Sequence, residues 1–365
     1  MAIKSATLYL WIYSGNFDGT NKDVNAPTYT LYKEAAAGQN VINFEIADLV
    51  SDYISINFDG TYETLNQSVW VDWKIPRTDE NNDAILPLIQ GSGLAYDGYG
   101  YFKDGINPNL VGSSQLMQSN LTVYVPLGEN PNIPVFTGLG GASGVSYIKA
   151  GETIYSEEYD ANILFLTADS TEITADADIY TADMTLLNEV NSDQTTQITS
   201  LASPDEIVII NNDGSTTTVK IKYLDEAKYI PQKVWFVNKF GVVQELWFFK
   251  RKDESINISK ESYKENTIAI TNNEIGYSIN TPTDMPYNFK AQKSLKLNTG
   301  FVVEEFNEVI QQLMLTKNAW TKENNQVLPI IPKTSSLAYK TSLNDKLINF
   351  TIEFDYAFNE VNTIR

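Results

Sequence analysis

The chain contains neither cysteine nor histidine in its 365 residues. Without a thiolate or an imidazole it has no Cys/His zinc site, no cysteine nucleophile, no Ser-His-Asp triad and no histidine general base. It also has no disulfide scaffold, although a chain of this length does not need one to be stable. Basic residues are scarce: 26 Lys and Arg stand against 46 Asp and Glu, a net charge of -20. Such a balance repels phosphate backbones and anionic lipid, so neither direct nucleic-acid binding nor a membrane partner is expected. No run approaches the ~18 apolar residues of a membrane-spanning helix. The stretch after Met1–Ser5 is interrupted by Thr7, Tyr9 and Ser14, unlike a signal core, so a soluble protein made without Sec-type export is expected.

What is present points to sheet. Hydrophobic residues make up 42% and aromatic residues 12%, and the 21 tyrosines, with many Thr, Val and Ile, suit pleated, half-buried surfaces. The length predicts two or three domains. Charge is uneven: residues 1–220 carry 8 basic and 29 acidic residues, whereas 221–365 carry 18 and 17. The acidic and neutral parts are therefore expected to face different neighbours.

Ala6, Leu8, Leu10 and Ile12 alternate with Thr7, Tyr9, Trp11 and Tyr13, the period-2 pattern of a strand. Further strands are expected at Thr28–Tyr32, Asn40–Phe44, Ile54–Phe58, Ser68–Ile75, Leu121–Leu127, Val145–Ile148, Ile163–Thr167, Val234–Asn238, Val242–Lys250 and Thr267–Thr271. Ile207–Ile210 and Thr216–Lys222 flank Asp213-Gly214 and predict a hairpin. At the end, Ile348, Phe350, Ile352, Phe354, Tyr356 and Phe358 share one face of a single strand predicted over Leu347–Phe358. A long surface excursion is expected over 76–115, where Pro76, Pro87, Pro108 and the Gly98–Tyr101 patch cluster. Val302, Phe306, Val309, Ile310 and Leu313 recur at helical spacing after Asn298-Thr299, with Glu304 and Glu305 in the first turn. The expected fold is thus mainly β: two to three β-sandwich-like domains with one amphipathic helix near 302–315. The expected domains are 1–143, an acidic 144–230, and 231–365.

No residue set carries catalysis. Gly138–Gly144 lacks both a Gly-x-Gly-x-x-Gly register and a following Gly-Lys-Ser/Thr, so a loop is the simpler reading. Glu63 and Asp72 beside Trp70 and Trp73 have the residue types of a glycosidase, but Trp70 and Asp72 fall on one strand face and Trp73 on the other. Asp176, Asp178 and Asp183, or the run Asp79–Asp83, offer oxygen ligands without EF-hand spacing, and a solvated acidic face accounts for them. No catalytic residue, cofactor or metal is therefore assigned. Two candidate interfaces are. Tyr99, Tyr101 and Phe102, with Trp11, Tyr9 and Tyr13, form either a binding surface or a face covered by a second sheet. Lys250, Arg251 and Lys252, the single basic triplet, either are solvated or meet the acidic part of a neighbouring copy head to tail.

Two segments, Val234–Gly241 with Leu246–Lys250, and Lys340–Phe354, resemble virion structural proteins of tailed bacteriophages that infect Bacteroidetes, crAss-like phages included. The resemblance covers about the C-terminal third and transfers no functional residue. It implies a β-sandwich protein repeated six- or twelve-fold around the tail or neck axis, in contact with its own copies and with other virion proteins. It also implies assembly in the host bacterial cytoplasm. A carbohydrate-binding or adhesive module is the alternative from another class, because Tyr- and Trp-rich surfaces and acidic loops serve it equally.

Overall fold

The computed structural model describes residues 3–36, 41–62, 66–104, 115–136, 145–149, 216–334 apart from 267, 272–273 and 278, and 347–361, with seven short strands between 154 and 210. In chain order these residues form β1 (Ser5–Tyr13), α1 (Asn21–Val24), β2 (Tyr29–Glu34), α2 (Ala47–Ser51), β3 (Ser68–Ile75), β4 (Arg77–Thr78) and β5 (Ile89–Tyr96). Then come β6 (Gln115–Leu116), β7 (Thr122–Pro126), β8 (Asn132–Phe136), β9 (Val145–Lys149), β10 (Ile154–Tyr155), β11 (Phe165–Leu166), β12 (Glu172–Ile173), β13 (Asp178–Tyr180), β14 (Leu186–Glu189) and β15 (Gln197–Ile198). The rest are β16 (Glu206–Ile210), β17 (Thr216–Leu224), β18 (Gln232–Val237), β19 (Val243–Phe248), β20 (Asp253–Lys264), β21 (Ile268–Thr271), β22 (Glu274–Tyr277) and β23 (Asp284–Asn298). They are followed by β24 (Val302–Val303), α3 (Phe306–Leu315), β25 (Ala319–Glu323), β26 (Gln326–Pro332), β27 (Leu347–Ile348) and β28 (Thr351–Tyr356). The protein is mainly β, as its composition predicts, and its strands pair antiparallel except β17 with β7, which run parallel.

The N-terminal sheet runs β2-β1-β3-β5, with β4 beside β1. The alternation of β1 places Leu8, Leu10 and Ile12 against Val69 and Val71 of β3 and Val50 of α2. The opposite face is closed not by a second sheet but by the excursion after β1. Trp11 donates its indole N–H to the Asn25 carbonyl (2.9 Å) and Trp70 donates to the Gly15 carbonyl (3.0 Å). The expected strands at 40–44 and 54–58 do not form among the described residues. Phe44, Ile46 and Ile54 pack as irregular chain onto the sheet face, burying the same apolar surface without joining an edge. The expected surface excursion over 76–115 is also corrected, because β4 and β5 within it belong to the sheet. Its glycines mark a close approach: a Cβ on Gly91 would collide with the Trp73 indole, so the strand can pass that ring only as glycine.

The larger sheet has seven strands in the order β19-β18-β25-β26-β28-β23-β20. On one face, α3 buries Phe306, Val309, Ile310 and Leu313 against Val234, Phe236, Leu246, Phe248 and Phe354. The helix starts later than the predicted 302. Val302 and Val303, β-branched, pair with Ile348 and Leu347 as β24 and β27. The expected cap residues serve elsewhere: the Asn298 side chain accepts from the Gly300 N–H, and Thr299 Oγ1 accepts from the Phe350 N–H (3.0 Å). That clamp also divides the predicted final strand into β27 and β28, which belong to different sheets. Its apolar face persists, with Ile348, Phe350, Ile352, Phe354 and Tyr356 buried and only Phe358 rising toward solvent. The predicted hairpin exists as β16 paired with β17, while Asp213-Gly214 lies outside the described residues.

On the other face, Trp235, Val237, Val243 and Trp320 receive Phe58 from the N-terminal part. Glu245, 8% exposed, lies in this layer. It accepts from Tyr62 Oη (2.5 Å), from the Asn132 side-chain amide and from Trp235 Nε1 (3.4 Å), and its carboxylate lies 3.4 Å from Lys233 Nζ. A second junction lies nearby. Gly241, at φ +80°, and Gly98 let two backbones touch, and the Tyr99 N–H donates to the Lys239 carbonyl (2.8 Å). Strand pairing also crosses the expected boundary at 143/144, since β8 pairs with β9. Replacing Glu245 with Gln leaves donors facing donors and Lys233 without its counter-charge. The expected outcome is a loss of about 3–5 kcal/mol in urea unfolding; a loss below about 1 kcal/mol would show that the carboxylate is dispensable.

Candidate functional site

The feature that stands apart from the body is a β-ribbon that residue patterning does not predict. β20 and β23 pair from Asp253↔Lys296 to Lys264↔Asp284, but β23 pairs with β28 only over Ser294–Asn298. The body ends at Ala291, whose N–H donates to Asn359 Oδ1 (2.9 Å) and whose carbonyl accepts from the Glu360 N–H (3.0 Å). Beyond it the ribbon projects, and every residue of β20 is exposed. β21 and β22 form a further hairpin at its tip.

Soluble chains rarely leave such a surface apolar. Ile256 and Ile258 are 52% and 65% exposed, and Phe289 lies on the same ribbon face opposite Lys260. The register then shifts between Lys260 and Glu261, where Asn288 takes φ +50° as the extra residue of a bulge. Past the bulge Tyr263 and Tyr287 stack edge to face at 5.9 Å. The tip exposes Ile268, Ile275 and Tyr277, and Ile279 beside it is 88% exposed. A two-stranded ribbon is at best marginally stable in water, and these side chains find no cover among the described residues.

The two predicted interface clusters fall elsewhere. Tyr99 and Tyr101 pack edge to face at 5.9 Å and are half-buried, with burial pushing the Tyr99 phenol up to about 12 and the Tyr101 phenol higher. Phe102 stands fully in solvent. Tyr101 lines a cleft of ≈1110 Å³ between the turn at Phe102–Asp104, residues 119–122 and the start of α3. Lys239 crosses it to pair with Glu308 (2.7 Å) beneath the Tyr101 ring. Lys103, Lys220 and Lys239 balance Glu304, Glu305 and Glu308 around the rim, so the cleft has no electrostatic preference for one sign of ligand.

Each residue of the basic triplet has a partner within the chain: Lys250 with Glu226 (2.6 Å), Arg251 with Asp253 (2.7 Å) and Lys252 with Glu254 (2.5 Å). Their sequence clustering reflects local pairing at the base of the ribbon. Asp72 is fully buried on the face shared with Trp70, neither of its oxygens has a hydrogen-bond partner among the described residues, and Trp73 lies on the opposite, core face. Burial chiefly, and then the Asp72 charge, push the Tyr13 phenol up. Glu63 and Gly138–Gly144 lie outside the described residues, as do Asp176, Asp183 and the side chain of Asp178. In the Asp79–Asp83 run, Asp79 Oδ1 accepts the N–H groups of Asn81 and Asp83 (both 2.9 Å), capping its own turn. Among the described residues no cluster of three acidic side chains could hold a metal ion, and no helix is long and apolar enough to cross a membrane.

The hydrogen bond from Lys250 holds the Glu226 carboxyl below the usual carboxylate range. A carboxylate depressed in the folded state stabilises the fold above its unfolded pKa, and that contribution is lost as pH falls through the folded value. Lys250→Ala is therefore expected to lower stability at about pH 7, with the difference from wild type closing at about pH 3. Urea unfolding of both proteins at the two pH values reads it; a difference that persists unchanged at the acid value would place the effect outside this pair.

Set against protein-family models, curated proteins and solved structures, the chain matches none of them.

Proposed function

We propose that the chain is a non-enzymatic structural component of a bacteriophage virion, a ring, neck or tail protein that assembles around the tail axis through contacts between copies. The observation that carries this reading is the projecting ribbon with its uncovered Ile256, Ile258, Tyr263, Tyr287 and Phe289. A subunit that reaches out with one element and receives its neighbour's elsewhere makes a heterologous contact, and such contacts close into rings when the rotation permits. The unequal charge of the two parts of the chain fits the same arrangement, because an acidic surface repels its own kind and favours the neutral part of the next copy. The similarity of Val234–Gly241, Leu246–Lys250 and Lys340–Phe354 to phage virion proteins supplies the setting: six or twelve copies, other virion proteins as neighbours, and assembly in the host cytoplasm. The adhesive alternative draws on Tyr101 and its cleft, but Tyr99 and Tyr101 meet edge to face and offer no flat stacking platform.

Mass photometry over a concentration series tests the proposal. Wild type is expected to show a discrete mass of six or twelve copies, and Ile258→Asp with Tyr287→Asp is expected to weaken assembly at least about tenfold, or 1.4 kcal/mol. Both positions are exposed, so the variant should keep the fold of the body, checked by an unchanged thermal transition. A wild-type chain that stays monomeric at the highest concentrations would overturn it.

A further inference from the structure

We propose that β20 of one copy pairs edge to edge and antiparallel with β20 of a second copy, about a two-fold axis at Asn257. The stretch Glu254-Ser255-Ile256-Asn257-Ile258-Ser259-Lys260 reads alike in both directions from Asn257, except that its ends carry opposite charges. Antiparallel strands set residue directly against residue. A two-fold through Asn257 therefore puts Ile256 opposite Ile258 of the second copy, Ser255 opposite its Ser259 and Glu254 opposite its Lys260. A shift by one or two residues in either direction sets at least one isoleucine against Asn257, a serine, Glu254 or Lys260. The match stops where Asp253 would face Glu261, because like charges directly opposite are destabilising. Glu254 already meets Lys252 and Lys293 in its own chain, so the isoleucine and serine pairs, more than charge, set the register.

The edge that carries this stretch is open. β20 is the last strand of the seven-stranded sheet and pairs with β23 and with no other strand among the described residues. Exposed edges are templates for strand addition, and proteins blunt them with proline and bulges. Here those devices sit on the other strand: β23 carries Pro286 and the extra residue Asn288, whereas β20 runs without either. Pairing would gather Ile256 and Ile258 of both copies on one face, in rows ending at Lys293 and Ala291 of each β23. A ribbon that is marginal with two strands becomes four-stranded with an apolar strip across its middle. The joint leaves Tyr263, Tyr287 and the tip free for a contact within a ring. It goes beyond the assembly reading and stands without it, since an isologous pairing needs only two copies.

The absence of native cysteine makes the test direct, because a single introduced thiol can bond only to its counterpart in another molecule. Asn257→Cys and Ser262→Cys both fall at exposed positions of β20. In the proposed pairing Cys at 257 lies opposite itself. Cys at 262 lies about ten residues from its counterpart, or about 33 Å at about 3.3 Å per residue, beyond the reach of a disulfide. Each variant is oxidised mildly at the highest concentration of the mass-photometry series, and the cross-linked dimer is read on a non-reducing gel. Asn257→Cys is expected to exceed Ser262→Cys by about tenfold or more, as a raised effective concentration gives. Equal yields, or none from Asn257→Cys, while mass photometry still shows rings would overturn this inference alone. A cross-link at Asn257→Cys in a chain that forms dimers and nothing larger would uphold it and overturn the ring. A monomer with no cross-link would overturn both.

Discussion

A buried carboxylate has to find enough donors to replace water, and in this protein the donors that Glu245 finds come from three separate stretches of chain, two of them distant. Tyr62 reaches it from the segment between the N-terminal strands, Asn132 from β8, and Lys233 and Trp235 from the neighbouring strand β18. Hydrophobic contact would bring Phe58 onto Trp235 and Trp320 in any of several rotations, because burial has no direction. Hydrogen bonds to one charged group do have direction, and they are costly to leave unmade. The Gly98 and Gly241 backbones meet in the same region of chain, where a side chain on either would hold the strands apart. The N-terminal sheet, the strands around 132 and the C-terminal sheet therefore have one mutual placement that satisfies them.

Much of this could be read beforehand. Period-2 patterning identified β1, β3, β18 and β19, where one or both faces are buried and residue type reports burial. The helical stripe through Phe306, Val309, Ile310 and Leu313 was legible for the same reason. Legibility failed where burial and backbone pairing part company. At 40–44 and 54–58 apolar residues are covered without entering a sheet, so the pattern suggested strands that do not form. In β20, Ser, Asn, Lys and Glu dominate, so a strand held by its partner alone left no hydrophobic signal. The glycines of β5 suggested a loop because their role is to make room for Trp73, a relation between strands that spacing within one strand does not encode.

The candidate site was less legible than the fold. Tyr99, Tyr101 and the basic triplet were singled out by residue type, and the structure gives most of them work inside the chain: Tyr101 beside Lys239 and Glu308, Lys250 on Glu226, Lys252 on Glu254. What marks the ribbon is the reverse combination, apolar side chains spaced among polar ones and left exposed by the described residues. In sequence, Ile256, Ile258 and Tyr263 look like ordinary members of a polar stretch. Only the geometry separates an isoleucine that is sheltered from one that is not, and the acidic bias of the first 220 residues was the single sequence feature that pointed toward unlike faces meeting.

The ribbon's independence from the body has a mechanical meaning. Outside Ala291 its backbone groups bond to each other, with Asn288 reaching across to Glu261 (3.3 Å) as a local brace. Nothing in the packed core therefore sets how long it is. Insertion or deletion of one residue pair on each side of the tip shifts the reach by about 3.3 Å and reverses which face its side chains present, whereas two pairs change the reach by about 6.6 Å and restore the facing. Span can thus be altered in steps while the folded core is left untouched, and the projecting strands act as a graduated spacer whose allowed lengths come in even increments.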